Sequence, residues 1–65
     1  GNVRIAVYDL SGKEVKLLVD RNQNAGTYQT EWNGEGHNNK RLPTGIYICS
    51  IIINGHKEVL KVSLK

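Results

Sequence analysis

The chain has 65 residues and a net charge of +3, with a pI near 9.3. That length allows one domain, residues 1–65, and a domain so small buries only about 60% of its unfolded surface, so its core is thin. The 9 Lys and Arg residues are scattered, with only Lys40 and Arg41 adjacent; nucleic-acid binding needs convergent charge and aromatic platforms, so no nucleic-acid partner is expected. No apolar run approaches the ~20 residues of a membrane span, and no basic segment followed by an apolar one marks a leader peptide. The single cysteine, Cys49, excludes a disulfide within the chain.

The first element is Asn2–Asp9. Val3, Ile5 and Val7 alternate with Arg4, Ala6 and Tyr8, the pattern of a half-buried strand. The chain thus opens directly in strand-like sequence and reads as a piece of a longer protein. Leu10–Gly12 forms a turn, with Gly12 suited to positive φ. Lys13–Asp20 follows with Val15, Leu17 and Val19 at alternate positions. The short connection predicts an antiparallel hairpin, and the turn and β-branched residues outweigh a helix reading. Arg21–Gly26 reads as a polar loop. Thr27–Trp32 alternates again, and Tyr28, Thr30 and Trp32 are expected to face the core.

Asn33–Gly45 is a long loop rich in Asn and Gly. Pro43 stiffens it, and Gly34, Gly36 and Gly45 permit its turns. Ile46–Ile53 is apolar on both faces, as a central covered strand is. Asn54-Gly55 is the strongest short signal for a type I′ hairpin turn. His56–Lys65 closes the chain with Leu60, Val62 and Leu64 on one face. About five strands joined by turns predict an all-β, antiparallel sandwich without helix.

Catalysis requires convergent groups, and the pattern supplies none. Ser11, Ser50, Ser63 and Cys49 sit in no nucleophile signature. His37 and His56 lie in or beside turns, and Cys49 lies in mid-strand as a small hydrophobe would. No zinc spacing is present. The loop around Asn33, Glu35 and Asn38 is rich in oxygen but has one carboxylate, too little for calcium. Leu42–Gly45 lacks the extra residue and apolar tail of a sortase signal. Trp32 could stack on a sugar, but its shared face with Tyr28 favours the core. No enzyme activity, cofactor or metal is expected.

The order of these motifs resembles the immunoglobulin-like domain of the flagellar hook-capping protein, and is especially similar to C-terminal sorting domains of the type IX secretion system. Tyr8, Asp9, Gly12 and Val15 match the strand end and turn of that pattern. Gly26, Tyr28 and Trp32 match its next strand, and Trp32, Asn33, Gly34, Gly45, Ile46 and Tyr47 match its loop and the strand after it. Pro43 lies inside the same loop. The chain departs from the pattern at Gly36, where an acid is usual, at Asn39, where glycine is usual, and in lacking the leading strand.

The resemblance implies an immunoglobulin-like β-sandwich without its first strand, in a secreted or bacterial cell-surface protein. The implied partners are an outer-membrane secretion machinery and a parent cargo on the N-terminal side. The C-terminal strand, Lys61, Val62, Ser63, Leu64 and Lys65, would carry the sorting signal. Two alternatives stand beside it: an accessory spacer or adhesion module of an extracellular enzyme, and a carbohydrate-binding module. The absent leading strand also predicts an unpaired strand edge and self-association through it.

Overall fold

The computed structural model of the chain describes residues 1–22 and 31–65. It contains four strands: β1 (Asn2–Tyr8), β2 (Glu14–Asn22), β3 (Gly45–Ile53) and β4 (His56–Leu64). They form one antiparallel sheet in the order β2-β1-β3-β4. The architecture is all-β and antiparallel, as the alternation predicts. Within the expected fifth strand, Thr27–Thr30 lies outside the described residues, and Glu31 and Trp32 are in no strand. The motif positions Gly26 and Tyr28 also lie outside them.

The chain makes two hairpins and lays them side by side through β1 and β3. The β1–β2 turn is organised by Asp9, whose carboxylate accepts hydrogen bonds from the Ser11 amide (3.0 Å), the Ser11 hydroxyl (2.6 Å) and the Lys13 amide (3.0 Å). Gly12 sits there at φ 91°. The β3–β4 turn has Asn54 at φ 52° and Gly55 at φ 80°, the two left-handed positions that a type I′ turn demands. These turns match the twist of the flanking strands.

Residues directly opposite each other in an antiparallel pair share a face. The registers therefore define two faces. On the front face, Val3, Ile5 and Val7 of β1 stand beside Ile53, Ile51 and Cys49 of β3, followed by Tyr47 and, on β4, by Leu60 and Val62. Val3, Ile5, Val7 and Tyr47 are buried and form the core. The back face holds Arg4, Ala6 and Tyr8 beside Ile52, Ser50 and Ile48. Ala6 and Ser50 are buried there too, because small side chains at the centre of a sheet lie below the level of their larger neighbours. Ile46–Ile53 is central, as its two apolar faces imply.

Two expectations change. Val15, Leu17 and Val19 do not share a face. Register shifts put Val19 opposite Ile5 and Leu17 opposite Ala6, which point to opposite sides of β1, so the extra residue Leu18 breaks the period of two. The polar residues Arg21 and Asn22 belong to β2 rather than to a loop, since their backbones continue the ladder to Val3 and Asn2; ladder bonding does not depend on side-chain polarity. β1 and β3 are each paired on both sides. The outer strands of the described sheet are β2 and β4.

Candidate functional site

The segment 31–45 folds onto the front face. Trp32 is half-buried and meets Tyr47 edge to face, with ring centroids 5.3 Å apart and planes at 70°. Its indole N–H donates to the Glu35 carbonyl at 3.0 Å. The Tyr47 hydroxyl donates to the Pro43 carbonyl at 2.6 Å. The loop thus hangs from β3 by two aromatic side chains whose polar ends are bonded to loop carbonyls. Trp32 packs inward, although from a loop.

Between those anchors the chain makes a small hairpin of its own. Glu35 and Arg41 form an isolated bridge. The Gly36 amide donates to the Lys40 carbonyl (2.9 Å), the Asn39 amide to the Gly36 carbonyl (3.0 Å) and the Leu42 amide to the Gly34 carbonyl (2.9 Å). Asn39 takes φ 60°, a conformation Asn tolerates. Gly34 is buried at φ 82°, and a Cβ there would stand 2.8 Å from Cδ1 of Leu64. That contact seats the loop on β4. Lys16 Nζ reaches the Gly36 carbonyl at 3.4 Å and ties the loop to β2.

The oxygens of the calcium-like loop are engaged by protein donors. Asn33 Oδ1 accepts from the Glu35 amide (3.1 Å), Asn38 Oδ1 from the Lys40 amide (3.2 Å), and Glu35 Oε1 from Asn33 Nδ2 (3.0 Å). Each of these oxygens thus accepts a hydrogen bond from a residue two positions away in the sequence. Among the described residues no three His, Cys, Asp or Glu side chains gather as metal ligands, and no helix is long and apolar enough to cross a membrane.

The electrostatic features are local. On the back face Arg4 pairs with Glu14 and donates to the Tyr8 hydroxyl at 3.2 Å. The Glu14 hydrogen bond, followed by that of Tyr8, pushes the Arg4 pKa still higher. The other Glu14 oxygen lies 3.5 Å from His37 Nε2. Asp9 is held below the usual carboxylate range by the Ser11 hydroxyl and then by the Lys13 amide. Burial raises the Cys49 thiol, which favours its neutral form.

The structure therefore brings together Trp32, Asn33, Gly34, Pro43, Gly45 and Tyr47 as one loop-to-sheet unit. It places Tyr8, Asp9 and Gly12 in a separate turn. It sets Lys61, Val62, Ser63 and Leu64 along β4, with Lys65 following. Val62 and Leu64 are half-buried, while Lys61, Ser63 and Lys65 are exposed.

This arrangement agrees with the comparison by family. Residues 1–53 match the model of the FlgD Ig-like domain. The chain belongs to that family. A search of curated proteins and a search of solved structures found no match. The FlgD Ig-like match spans β1, β2, the aromatic-anchored loop and β3, and ends before β4.

One feature of the site was missed in the sequence. Beside β4 the back face opens into a cleft of about 420 Å³, whose lining includes Tyr8, Ile48, Ser50, Lys57 and Val59. Val59 is 54% and Leu60 53% exposed. The only sequence signal was an apolar residue, Val59, on the polar side of the alternation.

Proposed function

We propose that this FlgD Ig-like domain is a non-catalytic recognition module: a C-terminal sorting domain that a type IX outer-membrane secretion machinery reads as a folded address on a secreted or cell-surface cargo. The observation that carries the reading is the placement of Lys61–Leu64 on an outer strand of the sheet. A strand there presents backbone and side chains together, as recognition by strand addition requires. The family match supports a non-catalytic structural domain, and side-chain oxygens of Asn33, Glu35 and Asn38 are bonded within the loop.

The test is export of a reporter carrying this domain, with the parent sequence that precedes it, in a bacterium possessing type IX secretion. Export should be lost when Val62–Lys65 is deleted. Because Leu64 seats Gly34, the deletion also loosens the fold, so a second variant, Lys61→Glu with Lys65→Glu, separates the two effects. It should fold and fail to export. Export by both variants would favour the accessory spacer reading instead.

A further inference from the structure

We propose that the outer edge of β4 is a docking site for an extended strand of another protein, one carrying acidic residues on either side of a large apolar residue. The inference concerns the same strand as the proposed sorting role, but it is argued from the geometry of that edge and does not depend on the sorting role.

The two outer strands differ. β2 is interrupted by two register shifts against β1, and such bulges twist an edge away from incoming strands. β4 runs through nine consecutive pairings with β3 without a shift. Its outer edge pairs with no described strand, so it presents a straight row of N–H and C=O groups. Val59 and Leu60, adjacent and on opposite faces, are more than half exposed. A strand added here covers both at once.

The side chains of β4 specify the occupant. Lys57, Val59 and Lys61 share the back face and are all exposed. An incoming antiparallel strand places one residue opposite each of them, at alternate positions. Carboxylates opposite the two lysines make cross-strand ion pairs. A large apolar side chain between them lies over Val59 at the rim of the cleft, which Lys57 and Val59 help to line. On the front face, the residues opposite Glu58 and Leu60 are best basic and apolar. Asp9 also lines the cleft, but its carboxylate is held by the donors of its own turn.

A second copy of this chain fits less well. Antiparallel self-pairing that keeps each face continuous, centred on Val59, sets Lys57 against Lys61. Centred on Lys61, it sets that lysine against itself. Centred on Leu60, it sets Lys61 against Val59 and Lys57 against Ser63, with no acid opposite either. Lysines on an edge strand oppose such like-charged pairing, while they attract an acidic strand.

The probe is a peptide the length of β4, 9 residues, with the central sequence Glu-Val-Phe-Lys-Glu, and a control with Lys in place of both Glu. Titrated into the isotope-labelled chain, the acidic peptide should shift and protect amides along β4 and shift the cleft residues. The control should bind about tenfold more weakly. In the Lys57→Glu, Lys61→Glu variant the preference should reverse, a result that damage to the fold would not produce. Equal binding of both peptides, absence of binding at millimolar peptide, or a dimer of the free chain with its β4 edge amides already protected would each overturn the proposal.

Discussion

Replacing Trp32 with Ala removes three interactions at once. The first is the edge-to-face pair with Tyr47, worth about 0.5–1.5 kcal/mol beyond burial. The second is the indole hydrogen bond to the Glu35 carbonyl, worth about 0.5–1.5 kcal/mol. The third is apolar burial; a large side chain gains about 1.5–3 kcal/mol when fully buried, and a half-buried indole realises roughly 1. Trp32→Ala should therefore cost about 2–4 kcal/mol, against a total at the low end of about 5–15 kcal/mol for a domain of this size. A wholly buried Trp would cost about 3–5 kcal/mol; the half-exposed position of Trp32 lowers the figure. The measurement is urea unfolding followed by far-ultraviolet circular dichroism, because the substitution removes the only tryptophan fluorophore. Trp32→Phe keeps an aromatic ring against Tyr47 and loses only the donor, so it should cost about 1 kcal/mol. A loss below about 0.5 kcal/mol for Trp32→Ala would refute the view that two aromatic side chains anchor the loop.

Gly55→Ala, at φ 80°, should destabilise by about 1–2 kcal/mol in the same assay, because a Cβ is strained in that left-handed turn position. A double-mutant cycle on Arg4 and Glu14 should return a coupling of about 0.2–1 kcal/mol that shrinks with added salt, since the side chains are 36% and 27% exposed. Asp9 titrates below its ordinary value when folded. Its contribution is therefore complete above the unfolded carboxylate pKa of about 3.9 and is lost as pH falls through the lower folded value. Asp9→Ala should flatten that acid limb of the stability profile, and an unchanged limb would exclude Asp9 as its source.

Much of the sheet was legible because its signals are short-range. The alternation of Val3, Ile5 and Val7 and the two apolar faces of Ile46–Ile53 follow from a period of two. The Asn54-Gly55 turn follows from the φ angles those residues tolerate. Other features depend on contacts that no local pattern carries. The bulge at Leu18 is an extra residue in one strand, visible only against its partner Ile5–Ala6. Trp32 lies at the start of a loop and still packs inward, because its partner, Tyr47, lies 15 positions later and across the loop. The cleft beside Val59 gathers residues from β1, β3 and β4, so it has no signature in any one of them.

The side-by-side placement of two hairpins has a kinetic consequence. Each hairpin closes over a tight turn, an event of about 1–10 μs. The seam that joins them pairs Val3 with Ile53 and Tyr8 with Ile48, residues 50 and 40 positions apart, so it meets a larger loop-closure entropy than either hairpin turn. Zipping of β1 against β3 is thus the expected slow step. Destabilising the seam, as by Ile5→Ala, should slow folding, whereas Gly55→Ala, if its turn forms before that step, should also slow it; a substitution on the docked loop, such as Trp32→Ala, should mainly speed unfolding. The rate of assembly would then reside in the two inner strands, while the lifetime of the native state would reside in the aromatic clasp.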